Sequence, residues 1–324
     1  MEERKRKQLR WQLPLLLLLI AGTVAVVRQQ RHEPYQRAEG LAFGTTYHVT
    51  YQHADDLKDS IVATLKLVDD EFSMFNSHST VARINRGEQP QRSRMFQEVY
   101  DLAQTVSSET DGAFDITVAP LVNAWGFGFK HEQMPTPQQV DSLLKIRSQL
   151  DFAAIAKGYG CDLVARLMER RGVRNFMVEI GGEVVTRGIN PSRMPWRIGV
   201  NKPTDDSLST GNGELQTVLN VTDRAMATSG NYRNFYVRDG RKYAHTIDPR
   251  TGYPVQHNIL SATVLADHCA TADAYATAFM VLGLDGAQRV LDRHPELMAY
   301  LIYNDEQGQM AVWRSPGLIS EEEE

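Results

Sequence analysis

Asn175-Phe-Met-Val-Glu-Ile-Gly-Gly-Glu-Val-Val-Thr-Arg187 is the stretch on which the fold class turns. Residues 175–180 and 184–187 read as strands, with the glycine pair Gly181-Gly182 between them. A dinucleotide-binding fingerprint needs a helix directly after its glycines, and here a second strand follows. That excludes a doubly wound nucleotide fold at this point and favours strands that return on themselves.

The same mixture continues on both sides. Residues 41–51 read as a strand, with Tyr47, Val49 and Tyr51 alternating. Further strands are expected at 196–200, 218–222, 235–238 and 260–265, and a closing hairpin at 298–303 and 310–313. Leu57, Ile61, Leu65, Val68 and Phe72 recur every three or four residues, the mark of an amphipathic helix. Phe96, Val99, Ala103 and Val106 repeat that pattern. Thr136-Pro137 reads as the N-cap and first position of a short helix ending near Arg147. A helix over 157–171 stops at Gly172, and two more are expected at 270–282 and 285–292. Strands and helices come in mixed runs without strict alternation. The fold class expected is therefore α+β, with a largely antiparallel sheet and packed helices.

The chain has 324 residues, enough for a full core, with 42% hydrophobic and 23% charged residues. Its formal net charge is -5; residues 1–10 hold five basic and two acidic side chains, a local +3, which leaves -8 on the rest. That balance argues against a nucleic-acid partner. Two distant cysteines, Cys161 and Cys269, make neither a zinc motif nor a disulfide framework, and whether they pair stays open.

Arg4, Lys5, Arg6, Lys7 and Arg10 precede one apolar run at residues 13–27. Basic residues stay on the cytoplasmic side, so a signal anchor or signal peptide is expected at 13–27, behind a cytoplasmic segment at 1–12. Residues 28–40 read as a polar linker, 41–315 as the functional domain and 316–324 as an acidic tail. The expectation is an inner-membrane protein whose domain faces the periplasm or exterior.

Three segments carry candidate chemistry. Asp273 and Thr277 stand four apart, on one face of the helix at 270–282. Asp151-Phe-Ala-Ala-Ile-Ala-Lys-Gly-Tyr159 adds a carboxylate, the lysine Lys157 and small residues that permit close backbone approach. The Ala154 carbonyl, Asp273 and Thr277 are oxygen ligands suited to Mg2+, which takes a few protein ligands and fills the rest with water or phosphate. The same i, i+4 pair also fits a solvated helix face. In Tyr243-Ala-His-Thr-Ile-Asp-Pro-Arg-Thr-Gly252 the turn at 248–252 sets His245 at a strand end, where it can take a proton or simply cap a turn. Residues 111–128 are dense in glycine and aromatics, which suits a pocket wall or a buried connection.

Taken together, these segments resemble the ApbE family, the FAD:protein FMN transferases. The resemblance covers nearly all of residues 41–303 and rests on motifs in family order. They are Gly44-Thr-Thr-Tyr47; Phe72-Ser-Met-Phe-Asn76 with Arg83-Ile-Asn85; Asp111-Gly-Ala-Phe-Asp-Ile-Thr117 with Pro120-Leu-Val-Asn-Ala-Trp-Gly-Phe-Gly128; and Asp151 to Tyr159. After them come Gly181-Gly182, Ala227-Thr-Ser-Gly230, His245-Thr-Ile-Asp-Pro-Arg-Thr-Gly252 and Ala272-Asp-Ala-Tyr-Ala-Thr-Ala278.

The resemblance implies a T-fold-like α+β architecture, Mg2+ at Ala154, Asp273 and Thr277, and FAD as substrate. It implies FAD contacts at Phe43, Phe75, Ala113, Phe114, Asp115, Asp151, Lys157 and Ile247. His245 matches a histidine proposed to take part in catalysis, and Asp273 joins it as a catalytic candidate through the metal. The reaction implied is transfer of FMN from FAD to a threonine or serine hydroxyl of a client flavoprotein carrying a flavinylation motif, with release of AMP. A Mg2+-dependent FAD pyrophosphatase and a non-catalytic anchored FAD-binding module are the alternatives. Two departures stand out: Phe43 replaces a frequent methionine, and no cysteine follows the apolar run to accept a lipid.

Overall fold

The computed structural model describes residue 14 and residues 33–128, 134–203, 214–231, 235–238, 241–256 and 258–318. The basic segment at 1–12, nearly all of the apolar run at 13–27 and the acidic end at 319–324 lie outside the described residues. Among those described, no helix is long and apolar enough to cross a membrane.

The chain opens with a hairpin of β1 (Tyr35–Ala42) and β2 (Thr45–Gln52), closed by Phe43-Gly44. Both turn residues have positive φ, 53° and 76°, the conformation that two-residue hairpins favour. The strand expected at 41–51 is thus two strands meeting at a turn. The first begins inside the residues read as a linker, which corrects that reading. The reason is visible in β1, an edge strand with only Ala38 buried, so it carries no hydrophobic alternation to detect.

Helices α1 (Lys58–Phe72), α2 (Thr80–Asn85) and α3 (Arg94–Glu109) follow. Ile61, Leu65, Val68 and Phe72 are buried in α1, and Phe96, Val99, Ala103 and Val106 in α3. The glycine-rich segment at 111–128 forms a 3-10 turn (Ile116–Val118) and α4 (Ala119–Ala124). Next, α5 (Pro137–Leu143) starts on a Thr136 capping box and ends before the expected Arg147. The long α6 (Ala153–Arg170) begins four residues earlier than expected.

β3 (Phe176–Ile180) and β4 (Glu183–Arg187) make the hairpin anticipated around Gly181-Gly182. β5 (Arg197–Asn201) and β6 (Leu215–Asn220) pair separately. β7 (Ala225–Gly230) joins the main sheet, while β8 (Phe235–Arg238) and β9 (Arg241–Ala244) form another hairpin. β10 (Ile259–Ala266), α7 (Cys269–Leu291), β11 (Met298–Asn304) and β12 (Met310–Arg314) complete the chain. Gly283 interrupts α7 with φ 72° and ψ 178°, so the two helices expected there meet at a kink.

Eight strands form one antiparallel sheet in the order β1-β2-β3-β4-β7-β10-β11-β12. Its two faces are sorted by alternation. Ala262, Val264, Ala299 and Leu301 turn to the main core with α6 and α7, while Leu265, Tyr300 and Ile302 enter a cluster with Val200 and Leu219 of the β5–β6 hairpin. Both faces of β10 are buried, with Ser261 and Thr263 its only polar side chains.

Candidate functional site

The site is built where α6 crosses α7. A Cβ on Gly158 would stand 2.4 Å from the Cys269 carbonyl oxygen, so only glycine admits this crossing. Asp162, one turn further along α6, fastens it. Its two carboxylate oxygens accept the Cys269 and Ala270 N–H groups at 2.8 and 2.9 Å. These are among the first N–H groups of α7, which no helical carbonyl can satisfy, and the helix has no side-chain cap of its own. Burial pushes the Asp162 carboxyl upward in pKa, against the pull of those two donors.

That crossing sets Asp273 against the first turns of α6. Asp273 is 2% exposed, and its Oδ2 accepts the Gly158 N–H at 3.0 Å. In a regular helix that N–H addresses the carbonyl of Ala154. The carboxylate therefore engages the same helical turn as the Ala154 carbonyl. One turn along α7, Thr277 Oγ1 lies 3.1 Å from Ser229 Oγ of β7. Ala154 thus stands on one helix and Asp273 and Thr277, one turn apart, on the helix packed against it.

Lys157 Nζ stands 3.3 Å from Glu183 Oε1 and 3.8 Å from Asp273 Oδ2. Burial would lower the lysine's pKa, but the Asp273 and Glu183 carboxylates override it and the net shift is upward. Burial raises Glu183 to about 8, with Lys157 opposing and Asp273 adding to the rise. Asp273 is raised by burial too, against Lys157 and the Gly158 N–H. Two buried carboxylates share one ammonium, and Glu183 Oε2 is buried without a hydrogen-bond partner. The donor set of carboxylate, hydroxyl and backbone carbonyl fits a hard divalent cation, whose charge would offset the second carboxylate once it ionises. Among the described residues no group of three or more His, Cys, Asp or Glu could hold a metal, so such a site depends on the neutral oxygens.

Asp151 precedes α6, nearly buried, and its Oδ1 accepts the Ala153 N–H at 2.8 Å. Burial raises its pKa, against that donor and Lys157. Its own N–H donates to the Ile116 carbonyl at 2.7 Å, which ties it to Asp115. Asp115 Oδ2 meets Arg147 Nη1 at 2.5 Å, and Oδ1 accepts the Thr117 N–H and hydroxyl. Ala113 packs with Val255 and with Val281, one turn beyond Thr277 on α7. Phe114 and Ile247 bury their side chains in two different clusters, which leaves their backbone atoms as the groups they could offer a ligand.

Phe43 is half-buried, and its ring lies where a Cβ on Gly160 would stand, 2.8 Å away. Phe75, in the connection between α1 and α2, is 78% exposed. His245 follows β9, half-buried, with its ring edge-on to Phe127 at 6.4 Å. The next hydroxyl, Thr246 Oγ1, donates to Asn231 Oδ1 at 2.7 Å. Asn231 follows β7, the strand of Ser229, so the His245 loop is joined to Thr277 through one strand end. The Asp248–Gly252 turn is anchored by Trp125 Nε1, which donates to the Gly252 carbonyl at 2.7 Å.

Residue patterning missed Gly158, Asp162 and Glu183. Asp162 and Glu183 did leave a signal, as lone charges in apolar surroundings that the fold buries. Cys161 and Cys269 are free and buried, and Cys161 donates to the Glu183 carbonyl. A cleft of about 670 Å³ beside α4 and α5 is lined by Ala124, Gln138, Ser142 and Leu143 among others. No titratable side chain lines it, so the polar cluster locates the site better than this cleft does.

Known proteins resemble this chain in sequence and in fold. A sequence model of the ApbE family matches residues 43–302. A FAD:protein FMN transferase of Haemophilus influenzae is 35% identical, over 90% of this chain and 94% of its own. Its Escherichia coli K12 counterpart is 33% identical, over 86% of each. The solved flavin transferase ApbE from Vibrio cholerae superposes with a TM-score of 0.77 at 32% identity, covering 87% of this chain and 98% of that one. The apo flavinyl transferase ApbE of Pseudomonas stutzeri gives 0.76 at 30% identity, over 89% and 96%. With sequence matched from the first hairpin to β11 and the fold shared over 87% of its length, the chain belongs to the ApbE family.

Proposed function

We propose that this chain transfers FMN from FAD to a threonine or serine hydroxyl of a client flavoprotein, in a Mg2+-dependent reaction that releases AMP. The observation that carries the reading is the buried Asp273 carboxylate, bonded to the α6 turn that holds Ala154 and flanked by Lys157 and Thr277. Relatives at 33–35% identity, matched over most of their length, bear the name FAD:protein FMN transferase.

In this reading the client hydroxyl oxygen attacks the FMN-side phosphorus of FAD. A P–O bond forms to the client, the bond to the AMP oxygen breaks, and AMP leaves with the electron pair. His245 accepts the hydroxyl proton; a half-buried imidazole beside a loop suits that role near neutral pH. Ala154, Asp273 and Thr277 would hold Mg2+, which would supply Lewis-acid neutralisation of charge on the pyrophosphate and the leaving phosphate. Lys157 adds a fixed positive charge at the same place, and its raised pKa keeps it ionised. Asp151, Asp115 and the backbone at Ala113, Phe114 and Ile247 line the flavin nucleotide, with Phe43 and Phe75 offering aromatic surface. Residues 1–27 anchor the enzyme in the inner membrane, with the catalytic domain in the periplasm.

The test is direct. Full-length protein is incubated with FAD, Mg2+ and a client carrying a Ser/Thr flavinylation motif, and client mass and AMP are read. A client heavier by one FMN, with matching AMP, supports transfer. AMP and free FMN without client modification would make the chain a pyrophosphatase, and FAD retained without AMP would make it a binding module.

A further inference from the structure

The Gly181-Gly182 turn delivers one more group to the site. Gly181 has φ 63° and Gly182 φ 105°, and the Gly182 N–H donates to Glu179 Oε1, which fixes the tight reversal between β3 and β4. β4 then opens on Glu183, 3% exposed, beneath α6. The Cys161 thiol, one turn beyond Lys157, donates to the Glu183 carbonyl at 3.2 Å. The side chain reaches back to Lys157 at 3.3 Å. Lys157 is therefore suspended between two buried carboxylates, nearer to Glu183 than to Asp273.

A cation on Asp273 and an ammonium beside it repel each other, and the repulsion is strong where water is scarce. Without a second acceptor, Lys157 would neutralise Asp273 itself and compete with the metal. Glu183 provides that acceptor, and its partnerless Oε2 leaves room for a second contact with the ammonium. Leaving such an oxygen buried and unpaired is costly, which argues for a use. We propose that Glu183 is a positioning residue that draws the Lys157 ammonium off Asp273, so that Asp273 stays open to a divalent cation. This rests on the metal reading given above.

Mn2+ serves as the probe, with its binding to full-length protein followed by electron paramagnetic resonance. Four proteins are compared with wild type: Asp273→Asn, Glu183→Gln, Lys157→Met and the double Glu183→Gln/Lys157→Met. Glu183→Gln is expected to weaken Mn2+ binding by about tenfold or more, the usual scale for a partner of a ligand's neighbour. In the Lys157→Met background the same change is expected to have little effect, because no ammonium is left to position. The double variant leaves Asp273 as the one buried carboxylate without the ammonium, a smaller burden than the two that Lys157→Met leaves alone. An equal loss in both backgrounds would mean that Glu183 acts by charge alone and would overturn the proposal. Wild-type affinity in Glu183→Gln, with binding lost in Asp273→Asn, overturns it while leaving the metal reading intact. Binding unchanged in Asp273→Asn, or absent from wild type, overturns both.

Discussion

The Gly158 N–H donates to Asp273 Oδ2 at 3.0 Å, and this single bond couples the start of α6 to the face of α7. It depends on close approach of the two helices, because the would-be Cβ of Gly158 meets backbone that cannot rotate away. The chemistry of the site is thus set by how near two helices pass.

Gly158→Ala tests that dependence. The added methyl would stand 2.4 Å from the Cys269 oxygen and 2.8 Å from the Ala270 nitrogen, so α6 and α7 must separate. Overpacking of this kind costs about 1–3 kcal/mol. We expect a lower urea midpoint and a raised Mg2+ requirement for AMP release. Wild-type values for both would show that the crossing is looser than described.

Asp273→Ala removes the one carboxylate of the proposed metal seat. Transfer should fall by about 10²-fold or more, the scale of losing several kcal/mol of charge stabilisation. The far-UV circular dichroism spectrum should be unchanged. Normal AMP release at limiting Mg2+ would remove Asp273 from that role.

His245→Ala separates binding from chemistry. His245 sits on a loop joined to β7 through Thr246 and Asn231, away from the Lys157–Asp273 pair along the chain. We expect FAD affinity to hold while turnover drops by about 10²–10⁴-fold, the range for a general base. Lost FAD affinity with normal turnover at saturation would rule out the base role.

How much of this was legible depended on periodicity. Helices α1 and α3 place every expected apolar residue in the core, because one stripe meets the rest of the protein. The strand-turn-strand reading of Gly181-Gly182 carried the fold class for the same reason: the turn signal is local. β7 escaped notice, since Ala-Met-Ala-Thr-Ser-Gly has small residues with modest strand preference. It lies between β4 and β10 with α7 packed over it, and small side chains keep the helix close. Lys157 and Asp273 were found by local motif. Glu183 was not, because its partner belongs to another element and only the fold joins them.

Asp162→Asn probes the α7 N-terminus. Both carboxylate oxygens accept backbone donors, and an amide replaces one acceptor with a donor facing an N–H. The loss should be about 1–2 kcal/mol, as for other helix caps, and thermal unfolding would measure it. An unchanged melting temperature would show that the two N–H groups find other partners.

Glu183 also sets a pH dependence for the metal-free protein. Burial lifts its pKa from 4.5 to about 8, so between those values the folded chain holds a proton that the unfolded chain has released. Stability contributed by this group is complete below about 4.5 and is lost as pH rises toward 8. One full proton of difference corresponds to a slope of about 1.4 kcal/mol per pH unit. Asp273, raised in the same direction, adds to the decline, whereas Lys157, raised above its ordinary 10.5, contributes only at higher pH. Urea unfolding of EDTA-treated protein at several pH values from 5 to 8 should therefore give falling stabilities, and Glu183→Gln should flatten the slope. Saturating Mg2+ should reverse the trend, since the cation binds the ionised cluster and gains affinity as protons leave. A Glu183→Gln protein with the wild-type slope would assign the proton to another group.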